Sequence, residues 1–320
     1  MAKYKVVVSD NRHGDYSIEA DILRTADAEL IVENCATEEE MISACRDADG
    51  VALDQAPMTA KVVESLTKCR VISRYGVGYD NADAGACTRK KIYLANVPDY
   101  CMEDVSDHAM ALFYSCVRHI PVRDRQVRQG GWDMERSGIF RIKGKVFSII
   151  GFGNIARCLI KKLSGLGLEK ILVYDPYVEK DVIKEMGGQK VDFETALSQA
   201  DYVSLHMPVT AETRGIIDGK AFSLMKNTAV LINTARGQLI AEDALIDALV
   251  NKKIAYAGLD THNKEPIPSG SPLLKLDNCI LTDHMGFFTV ESMAELHTKV
   301  AQNIKSVLEG GVPKYWVNKF

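Results

Sequence analysis

The chain has 320 residues, of which 47% are hydrophobic and 26% charged, with a formal net charge of −4. That composition excludes a disordered or fibrous protein and is long enough for two domains of ordinary size. The acidic balance argues against nucleic acid, which needs a basic face, and no run approaches the roughly 18 apolar residues of a membrane helix.

Strand and helix patterns alternate from the start, which implies parallel sheets covered by helices. Apolar strand runs fall near residues 6–8, 30–32, 51–53 and 71–73, with polar helical segments between them. The chain opens on the first of these without a signal peptide's charged start and apolar stretch. After the third comes the loop Asp54-Gln-Ala-Pro57, and after the fourth the turn Gly76-Val-Gly78. Such a turn presents backbone N–H groups to an anion without needing a charged side chain. The bland alternative is a plain turn. A proline then breaks the pattern at Asn96-Val-Pro-Asp99, and Val105, Ala109, Leu112 and Cys116 mark one face of a long helix. Arg118, Arg123, Arg125, Arg128, Arg136 and Arg141 follow, read as a solvated or subunit-facing helix.

Residues 145–150 are a short apolar run of the buried parallel-strand kind, leading directly into Gly151-Phe-Gly-Asn-Ile-Ala156. Ile155, Leu159 and Leu163 then repeat at helical spacing. In a strand–turn–helix context Gly151 permits the tight turn and Gly153 admits a pyrophosphate. Ala156 is small enough for helix and strand to pack closely. The amides of Asn154 and Ile155, at the positive end of the helix, are candidate phosphate donors. A second strand, 170–174, ends in Asp175, about 20 residues past the glycines, where the fingerprint expects an acid for the ribose hydroxyls. That acid would repel a 2′-phosphate, so NAD is favoured over NADP. Without a ligand, the same pattern is only a tight strand-to-helix turn.

Further on, the apolar run 229–232 delivers Arg236 within Asn233-Thr-Ala-Arg-Gly237, and the run 254–259 ends at Asp260. Glu265 lies in Asp260-Thr-His-Asn-Lys-Glu-Pro266, and His284 in Thr282-Asp-His-Met-Gly286. A guanidinium can clamp a carboxylate and polarise a carbonyl, imidazole moves protons near neutral pH, and a nearby carboxylate stabilises imidazolium. Among the other histidines, only His262, close to Glu265, competes seriously with His284. The last helix carries Met293, Leu296, Val300 and Ile304 on one face and is expected to return to the first domain.

The expected fold is α/β, with two doubly wound parallel-sheet domains, Rossmann-like and flavodoxin-like, and a ligand cleft between them. Residues 1–100 plus 288–320 form a discontinuous substrate-binding domain, and residues 101–287 an NAD-binding domain. The eight cysteines show neither a Cys-x-x-Cys pair nor metal-ligand spacing. They read as reduced thiols of a cytoplasmic protein, and no metal is expected.

Taken together, the chain resembles the D-isomer-specific 2-hydroxyacid dehydrogenases over essentially its full length. The matching segments are Arg74-Tyr-Gly-Val-Gly-Tyr-Asp-Asn81, Asn96-Val-Pro-Asp-Tyr100, Val105-Ser-Asp-His108, Gly151-Phe-Gly-Asn-Ile-Ala156, Ser204-Leu-His-Met-Pro208, Asn233-Thr-Ala-Arg-Gly237, Gly258-Leu-Asp260 and Thr282-Asp-His284. Through Asn96–Cys101, Gly130-Gly-Trp-Asp133, Gly311-Val-Pro313 and Val317-Asn318 it looks most like the C-terminal-binding-protein-like branch.

The resemblance implies oxidation of a small 2-hydroxy acid, or reduction of the 2-oxo acid, with NAD. Arg236 matches the family's substrate arginine, His284 its acid/base and Glu265 the histidine's partner. It places the cofactor among Gly151, Gly153, Asn154, Ile155, Asp175, His206, Pro208, Thr213, Thr234, Ala235, Asp260 (at the nicotinamide carboxamide) and Gly286. The substrate would meet Val77, Gly78, Arg236 and His284. A homodimer joined through the cofactor domains, with the arginine-rich segment in the joining arm, is also implied.

Two positions depart from the family pattern: Asp283 stands where a proline usually precedes the histidine, and Phe287-Phe288 where the close branch carries a tryptophan-bearing segment. The 54–57 loop has no arginine of the kind seen in phosphoglycerate dehydrogenases, which argues against a phosphorylated substrate. The competing readings are an NAD(H)-sensing, corepressor-like interaction protein and a phosphoglycerate or phosphite dehydrogenase.

Overall fold

The computed structural model describes residues 2–132 and 138–320. Asp133 and Arg136, named above for the resemblance and the arginine cluster, lie outside the described residues. The chain divides into two units, Met1–Tyr100 with Thr289–Phe320, and Cys101–Phe288.

The first unit is built on five parallel strands, β1 (Tyr4–Val8), β2 (Ala28–Val32), β3 (Gly50–Leu53), β4 (Val71–Arg74) and β5 (Tyr93–Ala95), in the order β2-β1-β3-β4-β5. All four residues of β3 are buried, as expected of a strand covered on both faces. The Val290–Leu308 helix belongs to this unit. It opens with a capping box: Ser292 N donates to Thr289 Oγ1 at 3.0 Å, and Thr289 N to Ser292 Oγ at 2.9 Å. Its Leu296, Val300 and Ile304 are buried. A Cβ at Gly50 would lie 2.9 Å from Ile304 Cγ2, so the glycine that opens β3 is what lets this helix settle onto the sheet.

The second unit carries seven parallel strands, β6 (Val146–Ile150), β7 (Lys170–Tyr174), β8 (Gln189–Lys190), β9 (Tyr202–Leu205), β10 (Val230–Asn233), β11 (Tyr256–Leu259) and β12 (Cys279–Leu281), in the order β12-β11-β10-β9-β6-β7-β8. Every residue of β6, β9 and β10 is buried, which is why these strands read as unbroken apolar runs. One face of the sheet packs Phe147 and Ile149 against Phe113 of the Met102–Val117 helix and Leu159 of the Asn154–Leu163 helix. The other face buries Val203 and Leu231 with Leu197 and Phe222. Val105, Ala109, Leu112 and Cys116 are all on the buried side of the Met102–Val117 helix.

The strand order reverses between β6 and β9, and ligands of doubly wound sheets bind outside the carboxyl ends at such a reversal. Gly151, Asp175, His206, Arg236, Asp260 and His284 all lie in the connections just past the carboxyl ends of β6, β7, β9, β10, β11 and β12. One sheet edge therefore carries almost every candidate. Among the described residues no helix is long and apolar enough to cross a membrane.

Candidate active site

The glycine turn has the geometry its sequence implies. Gly151 adopts φ +91°, and a Cβ there would lie 2.7 Å from the His206 carbonyl oxygen, so only glycine fits. Around Gly153 a Cβ would meet nothing within 4 Å, which leaves the space where a pyrophosphate must approach. The Asn154–Leu163 helix begins there with no side-chain cap, so the first amides stay available to an anion. Asp175 braces the turn. Its Oδ2 accepts the Phe152 amide at 2.8 Å, and its Oδ1 accepts those of Tyr177 and Val178 at 2.8 and 3.0 Å.

Past β9, His206 Nε2 lies 2.8 Å from Ser204 Oγ. Burial pushes its pKa down to about 4, so the ring is neutral at pH 7. The following loop is stapled by Thr213, whose hydroxyl donates to Pro208 O and accepts from the Thr210 amide, both at 2.7 Å. Past β10, the Asn233 side chain holds the Arg236 turn by accepting the Ala235 amide at 3.0 Å and donating to Arg236 O at 2.9 Å. Thr234 Oγ1 is buried with no partner among the described residues, an orphan that suits a polar ligand group. The turn, the open space at Gly153 and this orphan together fit a dinucleotide.

The acid–imidazole pair is formed. His284 Nδ1 lies 2.8 Å from Glu265 Oε2, and Glu265 Oε1 accepts the His262 amide at 2.9 Å. Burial alone would raise the Glu265 pKa, but hydrogen bonds from His284 and His262 outweigh it and the net shift is downward. The carboxylate therefore stays ionised, as an imidazolium's partner should. With Nδ1 so engaged, Nε2 is the nitrogen left to exchange a proton. Phe287 stands edge-on to the imidazole at 6.2 Å between ring centroids. His284 also has φ +57°, a left-handed conformation uncommon for any residue with a Cβ.

Asp260, expected at the nicotinamide, spends its carboxylate on this same turn. Oδ1 accepts Thr282 Oγ1 at 2.7 Å and the Met285 amide at 3.1 Å, and Oδ2 accepts the Gly286 amide at 2.9 Å. His108 Nε2 approaches Oδ1 to 3.2 Å and Thr282 Oγ1 to 3.0 Å. Burial pushes the Asp260 carboxyl up, but the bonds from His108, Thr282 and Gly286 prevail and hold its pKa at about 2. A methyl on Gly286 would come within 2.8 Å of Oδ2, which explains the glycine. Nothing in the sequence ties His108 and Thr282 to Asp260, because that contact exists only in three dimensions.

In the first unit, Val77 is exposed and its carbonyl accepts from Asn96 Nδ2 at 2.8 Å, while Gly76 adopts φ +134°. The Gly76–Gly78 turn is thus held from the Asn96 segment, with Val77 and Gly78 at its outer side.

The family model described as "D-isomer specific 2-hydroxyacid dehydrogenase, NAD binding domain" matches residues 110–286. The chain belongs to the D-isomer-specific 2-hydroxyacid dehydrogenase family. Within this family member, residues 110–286 are the NAD-binding domain, and they contain the glycine turn together with Arg236, Glu265 and His284. Similar curated relatives include a D-3-phosphoglycerate dehydrogenase of Methanocaldococcus jannaschii, 38% identical over 98% of this chain and 59% of that protein. A glyoxylate reductase of Korarchaeum cryptofilum is 36% identical over 87% of this chain and 85% of the relative. The chain thus spans well under two thirds of the length of the phosphoglycerate dehydrogenase. Among solved structures, a glyoxylate reductase from Paecilomyes thermophila superimposes with TM-score 0.90 at 26% identity, covering 99% of both chains. An acyclic imino acid reductase solved with NADPH and D-Arg gives TM-score 0.87 at 25% identity, covering 98% of this chain and 99% of the other.

Proposed function

We propose that this family member is an NAD-dependent 2-hydroxyacid dehydrogenase that reduces a small 2-oxo acid, with His284 as the acid/base. The observation that carries the reading is the His284–Glu265 pair at 2.8 Å, on the same sheet edge as Arg236 and the glycine turn. A protein that only sensed nucleotide would have no chemical use for all three side chains.

Arg236 binds the substrate carboxylate and polarises the carbonyl with its planar fork. His284 Nε2 donates a proton to the carbonyl oxygen on reduction and removes it on oxidation, while Glu265 keeps the ring oriented. When bound, the nicotinamide supplies the hydride that completes the alcohol. Gly151, Gly153, Asn154 and Ile155 hold the pyrophosphate in this reading. Asp175 accepts the ribose hydroxyls and so selects NAD. His206, Pro208, Thr213, Thr234, Ala235, Asp260 and Gly286 line or brace the remainder. In the first unit, Val77 and Gly78 stand on a turn whose backbone suits an anion.

The exposed Ile120, Val127 and Trp132, on or next to the Ile120–Arg128 helix that buries no residue of its own, support a homodimer through the NAD-binding domain. Eight cysteines, none of them in a disulfide, support a cytoplasmic setting.

A phosphorylated substrate is the second reading. The 54–57 loop lacks arginine, but Arg12 Nε and Arg74 Nη2 stand 3.4 and 3.7 Å from Asp54, so two guanidiniums already border it. A screen of NADH consumption over glyoxylate, hydroxypyruvate, pyruvate, phenylpyruvate and 3-phosphohydroxypyruvate separates the two. Turnover of the unphosphorylated acids, and a fall of about 100- to 10,000-fold in kcat for His284→Gln, are expected. Full activity in that variant removes His284 from the mechanism, and no turnover of any acid removes the enzyme.

A further inference from the structure

The His262 ring is spent on the protein rather than on substrate. It lies in the turn after β11, is 7% exposed, and its Nε2 sits 2.8 Å from Thr282 O. A carbonyl oxygen only accepts, so Nε2 carries the proton, and the ring is fixed in one tautomer. Nδ1 is buried and has no partner among the described residues. No ring nitrogen is therefore presented for proton exchange, which removes His262 as a rival to His284.

The two bonds of His262 join the two halves of the acid–imidazole pair. Its amide holds Glu265 Oε1, and its ring holds the carbonyl of Thr282, two residues before His284. That second tie matters because His284 adopts a left-handed backbone, a conformation that persists only when the surroundings enforce it. A proline at 283 would fix φ there and restrict Thr282 before it, but Asp283 stands at that position. Asp260 and His108 grip the Thr282 hydroxyl from the other side.

Resting on the dehydrogenase reading, we infer that His262 is a positioning residue: its ring N–H locks the Thr282–His284 turn in register with Glu265. A ring of the same bulk without the N–H fills the space but releases the carbonyl. Misplacement of an acid/base by about 1 Å is enough to cost roughly 100-fold in rate.

The test uses His262→Phe and His262→Gln in the full-length protein. For His262→Phe, kcat falls about 10- to 100-fold while KM for NADH changes less than about 2-fold. His262→Gln, which keeps an N–H donor, recovers most of the rate. Independently of turnover, amide exchange at His284 and Met285 speeds up in His262→Phe while β10 is unchanged. Wild-type kcat in His262→Phe, unchanged exchange, or an equal loss in both variants overturns the inference. Imidazole 15N NMR of the unmutated protein decides the matter even if the variants do not fold: an Nδ1–H tautomer at His262 also overturns it. If the unmutated protein reduces no oxo acid, the functional reading falls, while exchange and NMR still decide the role of His262.

Discussion

Both units place a parallel sheet's reversal point at the end of a central strand, yet they treat that place in opposite ways. In the second unit β6 ends in Gly151-Phe-Gly153, and the space beside Gly153 is open. In the first unit β1 leads into Ser9-Asp10 beside β3, and the Asp10 carboxylate occupies the corresponding place. Its oxygens accept the amides of Asp54, Gln55 and Ala56 at 3.1, 2.7 and 3.1 Å, together with the Ser9 hydroxyl at 2.5 Å. A built-in anion thus does in one unit what a ligand's phosphate is proposed to do in the other. The lesson is that architecture offers the anion site, and one or two residues decide whether it is filled from within.

Three substitutions or conditions break or sharpen that contrast. Asp10→Ala strands three backbone amides and should destabilise the first unit by about 3 kcal/mol, read from urea midpoints, with NADH affinity unchanged. A loss of NADH binding without loss of stability would contradict the contrast. Gly153→Val should do the reverse. Its φ of −76° suits any L residue, so stability stays within about 0.5 kcal/mol. The branched side chain fills the open space, and NADH affinity measured by fluorescence falls at least about 100-fold, or roughly 3 kcal/mol.

The smallest effect concerns acid. Asp260 has its folded pKa depressed from 3.8 to about 2. Its contribution is therefore present above pH 4 and lost as pH falls from about 4 to 2, an expected drop of about 2 kcal/mol. Comparing unfolding of the wild type and Asp260→Asn across that range should show a shallower slope in the variant; an unchanged slope would assign the acid sensitivity to the other carboxylates.

Much of this was legible in the sequence because it rests on local pattern. Strands buried on both faces are apolar runs, and a glycine turn between strand and helix declares its own geometry. Arg236, Glu265 and His284 each follow a strand or its loop, so the shared sheet edge follows from the fold. Edge strands β8 and β12 have two and three residues, too short for periodicity to register. Asp10 is one acid among many after a strand, and its amide partners lie more than 40 residues away. The expectation for Asp260 looked outward to a cofactor because sequence does not reveal that Thr282, Met285 and Gly286 supply donors for it. His262 looked like a rival base for the same reason: what occupies its ring nitrogen is a carbonyl 20 residues on.

Gly237 carries a mechanical consequence. A methyl there would sit 2.1 Å from the carbonyl carbon of His262, so two main chains touch with no side chain between them. Contacts that close leave no slack for sliding, and interiors so packed transmit displacement rather than absorb it. The segment bearing the Arg236 guanidinium and the segment bearing the Glu265 carboxylate are accordingly one rigid piece, and any motion that carries Arg236 carries the partner of His284 with it.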